Sequence, residues 1–171
     1  MFRSYGLIVL VCTASTLACD GGDEHEITSD CSREGDFIGE LGQGQESFEP
    51  IPEGGEPTVH YGAQGGTHLV LAARLITPDP LDRYEISLTA EIGQEPCTGG
   101  DCSSYQTISQ ITQTIEGAAR IRENEAGELE IPSLFVVVEN WSASSVRRIT
   151  MEITDVCERR TTVVRTFVSA P

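Results

Sequence analysis

From residue 57 onward, short stretches rich in valine, isoleucine, threonine and tyrosine alternate with polar turn clusters. The clearest example runs over residues 148–155, where isoleucine or methionine alternates with threonine or glutamate. A period of two residues is typical of a strand with one buried and one exposed face. The body of the chain is therefore predicted to be all-β.

Eight segments carry this pattern or this composition. The predicted strands span residues 58–61, 68–76, 84–92, 105–115, 118–122, 134–139, 148–155 and 161–168. Residues 106–116 have isoleucines at a helical spacing, but their threonine and serine content favours a strand with a bulge. Residues 135–138 are apolar without alternation, as in a strand that is covered on both faces.

Turn clusters at residues 62–66, 78–82 and 125–127 fit between the predicted strands. Seven or eight short strands with frequent turns favour an antiparallel β-sandwich, immunoglobulin-like in the broad sense. An antiparallel barrel is the alternative architecture. The sandwich domain is predicted to occupy residues 57–171.

The N-terminus begins with one basic residue, Arg3, which is followed by an apolar run over residues 5–17. A basic start, a short apolar stretch and a small residue before the cleavage site are typical of a secretory signal peptide. The run is too short to cross a bilayer as a stable helix. A signal peptide is therefore predicted over residues 1–18.

The end of this segment, Thr16-Leu17-Ala18-Cys19, resembles the lipobox of bacterial lipoproteins. In that family the cysteine receives a diacylglyceryl group and becomes the new N-terminus, which implies the same modification of Cys19. The resemblance implies a lipid-anchored protein of the cell envelope, on the periplasmic side or at the cell surface. The alternative is a secreted protein released by an ordinary signal peptidase.

The chain is strongly acidic, with 11 Lys and Arg against 27 Asp and Glu and a formal net charge of −16. Nucleic-acid binding is not expected, because it needs a cationic surface. Anionic lipid headgroups would repel such a chain, so membrane contact is expected only through the lipid on Cys19. Residues 19–56 are rich in glycine, glutamate and proline, and are predicted to form a flexible acidic tether.

Four cysteines remain outside the signal peptide and the lipidation position. They are Cys31, Cys97, Cys102 and Cys157. An even number in an oxidising compartment indicates two disulfides. Of the three possible pairings we favour Cys97–Cys102, which are separated by turn-forming residues, together with Cys31–Cys157. A four-cysteine zinc site is disfavoured because only one pair of cysteines is close in sequence.

Residues 61–68, Y-G-A-Q-G-G-T-H, resemble the G-x-Q-G-G-x-H stretch of uncharacterised lipoproteins from myxobacteria and related lineages. In that group the stretch precedes a strand of a predicted sandwich. Residues 154–159 are similar to the group's closing v-D-x-x-G-r hairpin, with Glu158 at the position of the glycine. The resemblance covers residues 42–171, supports the location and the fold, and implies no known activity.

Three residues are candidates for ligand binding: His60, His68 and Trp141. The two histidines are predicted on adjacent strands around a glycine-rich turn, where they and a carboxylate would suit a transition metal. The alternative is that His68 satisfies backbone groups of the turn. Trp141 is predicted at the edge of the core, and its alternative role is a stacking platform for a sugar or a partner.

No nucleophile elbow or dinucleotide-binding loop occurs in the sequence. We therefore predict no catalytic residues, no cofactor and no metal, and we expect a monomeric, non-enzymatic envelope protein. Its expected role is to bind or support another envelope component, a protein or a glycan, through exposed aromatic residues such as Tyr61, Tyr105 and Trp141. A binding module for a small ligand, a metal or a sugar, is the alternative.

Overall fold

The computed structural model describes residues 31, 34–62 and 65–169, so the predicted signal peptide and Cys19 lie outside the described residues. Ten strands and one short 3-10 helix, Trp141–Ala143, lie within that part of the chain. The strands are β1 (Ile38–Gln43), β2 (Glu49–Pro50), β3 (Val59–Tyr61), β4 (Thr67–Ile76), β5 (Arg83–Thr98), β6 (Asp101–Glu116), β7 (Arg122–Glu123), β8 (Leu129–Val137), β9 (Val146–Asp155) and β10 (Arg160–Val168).

These strands form two antiparallel sheets. Sheet A has the order β2-β1-β4-β8-β7, with β3 paired to the beginning of β4. Sheet B has the order β10-β9-β5-β6. The inner faces of both sheets contribute to one hydrophobic core. The fold is therefore the antiparallel β-sandwich that the sequence predicts.

The period-two pattern determines which side chains enter this core. In β9, Ile149, Met151 and Ile153 are fully buried, while the residues between them lie on the outer face of sheet B. Leu69 and Leu71 of β4 belong to the same buried cluster. Burial of each such side chain contributes about 1.5–3 kcal/mol, so the alternation is the main determinant of how the sheets pack.

The sandwich begins earlier in the chain than residue 57. β1 pairs with β4 along its whole length, and Leu41 is buried in the core. Residues 38–50 therefore belong to sheet A, in contrast to the tether predicted over residues 19–56. Gly42 is needed here, because a β-carbon at this position would lie 2.5 Å from the ring of Phe48.

Two other predicted strands can be compared with the structure. The prediction for residues 118–122 was wrong, because residues 118–120 form a turn and Ile121 is buried in the core before the short strand β7. The prediction of a bulged strand over residues 106–116 is confirmed by β6. Its register against β5 shifts so that Ile108 has no partner residue.

Both predicted disulfides are present, Cys97–Cys102 within the β5–β6 hairpin and Cys31–Cys157 across 126 residues of sequence. The second bond attaches the beginning of the described chain to the turn between β9 and β10. Disulfides persist in oxidising compartments, which indicates a location outside the cytoplasm. We call the end of the sandwich that contains Cys31–Cys157 its base.

The turn at the base is organised by the side chain of Asp155. Its carboxylate accepts hydrogen bonds from the backbone N–H of Cys157 at 2.8 Å and of Arg159 at 2.9 Å. Glu158 in the same turn has a φ of 61°, in the left-handed region that favours glycine. This conformation explains why a glycine is expected at that position of the hairpin.

We expect the two disulfides to differ in their contribution to stability. In the chain-entropy model, the 126-residue loop gives about 5 kcal/mol and the short loop about 2 kcal/mol, both as upper estimates. Replacing Cys31 and Cys157 with serine should therefore lower the free energy of unfolding more than replacing Cys97 and Cys102. Guanidinium denaturation of the two double variants measures this difference, and an equal loss would contradict it.

Candidate functional site

The two predicted histidines come together on the outer face of sheet A. His60 of β3 lies directly opposite His68 of β4 in the register of the two strands. Their ring centroids are 5.6 Å apart and the rings are inclined by 21°, a stacked arrangement. The glycine-rich turn between them makes this possible, with Gly62 donating a hydrogen bond to the carbonyl of Gly66 at 2.8 Å.

Two apolar side chains extend this pair across the sheet. In the register between β4 and β8, Val137 is the partner of His68, and Phe135 is the partner of Val70. Phe135 is 46% exposed and Val137 is 56% exposed. The prediction that residues 135–138 are covered on both faces was therefore wrong. We call His60, His68, Phe135 and Val137 the distal patch.

The imidazoles of the distal patch make ring contacts rather than hydrogen bonds. The ring of His68 lies 5.9 Å from that of Phe135, and within the described residues neither histidine side chain has a hydrogen-bond partner. His68 therefore does not satisfy the backbone of the turn, in contrast to the structural role considered above. The ring nitrogens of both histidines remain available to a ligand.

A shallow cavity of about 190 Å³ adjoins His60 on the side of the β1–β2 loop. It is lined by Gln43, Gly44, Gln45, Glu49, Thr58, His60 and Val70. The loop is held in place by the hydroxyl of Ser133, which donates a hydrogen bond to the carbonyl of Gln45 at 2.6 Å. An imidazole, amides and a carboxylate therefore border one small depression beside the distal patch.

The described residues contain no group of three or more histidine, cysteine, aspartate or glutamate side chains arranged to hold a metal ion. Glu49 shares the cavity with His60 but does not complete such a group. The paired histidines thus lack the carboxylate that the sequence analysis considered as a third ligand.

Trp141 lies in the core and not at a binding surface. Its side chain is 1% exposed, and its ring centroid is 6.3 Å from that of Phe167. The guanidinium of Arg147 lies 5.8 Å from the centre of the indole ring. The candidate ligand-binding role of Trp141 is thus corrected to a packing role, because no face of its ring is open to a sugar or a partner.

The other two aromatic candidates lie apart from each other. Tyr61 is 77% exposed at the end of β3, next to the distal patch in sequence. Tyr105 lies in sheet B, where Arg148 covers its ring at 3.6 Å and its hydroxyl donates a hydrogen bond to the carbonyl of Gly100. The hydrogen bond from Arg148 to Glu91 raises the pKa of the guanidinium, so this cation stays charged over the ring.

In the described part of the chain, no helix has the length and apolar character needed to cross a membrane. Neither a protein-family model nor a curated protein matches the sequence. One similar solved structure is DesR, a beta-glucosidase from Streptomyces venezuelae in complex with D-glucose, with a TM-score of 0.32 and 12% identity. The match covers 78% of this chain and 16% of that chain, and such a TM-score supports no conclusion about activity.

The exposed residues of the distal patch should be dispensable for folding. Because Phe135 and Val137 leave about half of their surface open to water, Phe135→Ser or Val137→Thr should lower the free energy of unfolding by about 1 kcal/mol or less. Trp141→Ala removes a fully buried side chain and should cost about 3–5 kcal/mol. Thermal and denaturant unfolding of the three variants would test this contrast, which large losses at residues 135 and 137 would contradict.

Proposed function

We propose that this protein is a lipid-anchored component of the cell envelope with a non-catalytic binding role, and that the distal patch is its contact surface. The observation that carries the proposal is the position of the patch relative to Cys31. The patch lies at the beginning of β4, whereas Cys31 is held by its disulfide at the base, where β4 ends. An anchor on the N-terminal side of Cys31 would therefore present the patch away from the membrane.

The strand β4 gives the scale of this arrangement. It runs from Thr67, beside the patch, to Ile76, which pairs with Ile38 in β1 close to the base. At about 3.3 Å per residue, its length separates the patch from the base by about 25–30 Å. The 12 residue steps from Cys19 to Cys31 span at most about 40 Å, so a lipid on Cys19 would hold the base within about 40 Å of the membrane.

The composition of the patch supports binding. Two exposed apolar side chains adjoin two imidazoles on one face of sheet A, in a chain whose net charge is −16. Contiguous exposed apolar surface of this kind is typical of an interaction site. Imidazole and phenyl rings pack against apolar side chains of a protein or against the faces of sugar rings. The proposed partner is therefore a protein or a glycan of the envelope.

A small ligand is the second candidate for this surface. The observation that favours it is the cavity beside His60, where ring nitrogens without internal partners meet the polar side chains of Gln43 and Glu49. A sugar or a weakly held metal ion would be the ligand class. Titration of the protein with Zn²⁺ or monosaccharides, with His60→Gln as the comparison, separates this candidate from the binding of a macromolecule.

The anchor has a direct test in Cys19→Ser. Because serine lacks the thiol that accepts the diacylglyceryl group, the variant should move from the membrane fraction to the soluble fraction of disrupted cells. The measurement is immunoblotting after ultracentrifugation and a high-salt wash. Cys12→Ser, which changes another cysteine of the predicted signal peptide, should leave the protein in the membrane fraction. If Cys19→Ser also remains with the membranes, the proposed lipidation is wrong.

The contact surface has its own test, which uses two valines of similar exposure on opposite sheets. Val137 in the patch is 56% exposed, and Val164 on the outer face of sheet B is 54% exposed. In intact cells treated with a cross-linker, Val137→Glu should lose the main cross-linked partner, because the new charge must be desolvated on binding. Val164→Glu should retain it. Retention of the partner in both variants would place the contact surface elsewhere.

A further inference from the structure

Sheet B ends in an edge strand of unusual composition. In the described part of the chain, β6 pairs only with β5, so one side of its backbone has no neighbouring strand. Between Asp101 and Glu116, residues 102–115 include no charged residue, proline or glycine, although 22% of the whole chain is charged. Edge strands expose N–H and C=O groups that pair readily with another strand, and charges and prolines normally prevent this.

The other edges in the described residues carry such protection. β10, at the opposite edge of sheet B, contains Arg160 and Arg165 and runs beside β1. The terminal strands of sheet A are β2, β3 and β7, which have only two or three residues each. Beyond β7, residues 131–137 of β8 also have no strand on that side within the described chain, but this stretch contains Pro132 and the positive-φ residue Ser133. Beyond β2, residues 38–41 of β1 are likewise unpaired on one side, and this stretch contains Glu40. β6 has 16 residues and is the exception. A long edge without charges is therefore a specific feature of this side of the sandwich.

The bulge at Ile108 limits the part of β6 that another strand can follow. A bulge increases the local twist, so pairing is expected on one side of it only. From Ser109 to Glu116, β6 pairs with β5 without interruption. Gln110, Thr112 and Thr114 are exposed in this segment. About seven residues of edge, over 109–115, are thus available to an added strand.

The inner side of this edge is incompletely covered. Ile108 and Ile111 pack against the core but are only partly buried. On the same side of the sandwich, sheet A ends in β7, which has only two residues and does not extend along β6. An added strand with apolar residues on its inward face would therefore continue the core beyond Ile111.

Charge indicates what kind of strand fits. Glu85 lies opposite Thr114 on the neighbouring strand β5, is exposed, and makes no ion pair within the described residues. The net charge of −16 repels a second copy of this chain and attracts a cationic segment. The occupant that fits is an extended segment with apolar residues facing inward and lysine or arginine facing outward.

We infer that the free edge of β6 over residues 109–115 is a strand-addition site for an extended, cationic amphipathic segment of a partner protein. In this recognition mode the backbone hydrogen bonds of the added strand provide affinity, and alternate side chains provide specificity. The inference rests on the proposed binding role and extends it to a second surface with a defined ligand class. It does not depend on the lipid anchor.

The experiment uses the purified full chain in detergent and a capped synthetic peptide of seven residues in which isoleucine alternates with lysine. Binding should slow hydrogen exchange of backbone amides over residues 109–115 and leave β10 unchanged. A control peptide in which only the central residue is replaced with proline should not bind, because proline cannot continue the ladder of hydrogen bonds.

Two matched variants test the location. Thr112→Lys places a cation on the exposed face of β6, and Thr162→Lys places one at an exposed position of β10, the other edge of the same sheet. Thr112→Lys should weaken peptide binding about tenfold or more, whereas Thr162→Lys should change it by less than about twofold. Equal effects of the two variants would indicate attraction by overall charge and would overturn the assignment.

The remaining outcomes are also decisive. Protection of the distal patch in place of β6 would overturn the edge site while leaving the proposed binding role intact. A dimer that forms without peptide and is abolished by Thr112→Lys, detected by analytical ultracentrifugation, would identify a second copy as the occupant and overturn the assigned partner. Absence of binding at about 1 mM peptide would also overturn the strand-addition site.

Discussion

The buried carboxylate of Asp155 is the interaction on which the base of this sandwich depends. A carboxylate without exposed atoms costs several kcal/mol unless cations and hydrogen-bond donors surround it. Arg159 supplies the charge through its Nε at 2.7 Å, and the same guanidinium reaches Asp79 in the β4–β5 connection at 3.2 Å. One arginine therefore ties the turn of sheet B to the loop through which the chain crosses between the sheets.

Other features of the base follow from that network. Because Asp155 fixes the backbone of its turn, Cys157 is positioned to bond with Cys31. Tyr84 lies in the same region, where its hydroxyl accepts a hydrogen bond from the backbone N–H of Leu81 and burial raises its pKa. Cys31, the first described residue, is thus held at this end of the sandwich, while the histidines of the patch lie at the other end of β4.

The sequence alone predicts the strands in which apolar and polar residues alternate without interruption. β9 was predictable from the sequence because Ile149, Met151 and Ile153 are buried and apolar, and the residues between them are polar. β1 was not, since Leu41 is its only buried large residue and its glycines resemble a linker. Gly42 is required by its contact with Phe48, a tertiary constraint that composition cannot reveal.

The candidate site shows the same limit. His60 and His68 were predictable as neighbours because a glycine-rich turn separates two short strands. Phe135 and Val137 were not predicted as surface residues. An uninterrupted apolar run has the same sequence pattern whether one face or both faces of the strand are covered. Trp141 was correctly placed near the core, but its complete burial depends on Phe167, which is distant in sequence.

Charge connects the distal patch and the β6 edge. A chain with 27 acidic residues keeps most of its surface hydrated and repels most acidic neighbours, including copies of itself. A partner can bury surface at a low free-energy cost only where no carboxylate loses its hydration. At the distal patch this surface consists of exposed side chains. At residues 109–115 it consists of the unpaired backbone groups of the strand edge. The two surfaces would then select different ligands, since rings and apolar groups recognise shape, whereas a free strand edge recognises extended backbone.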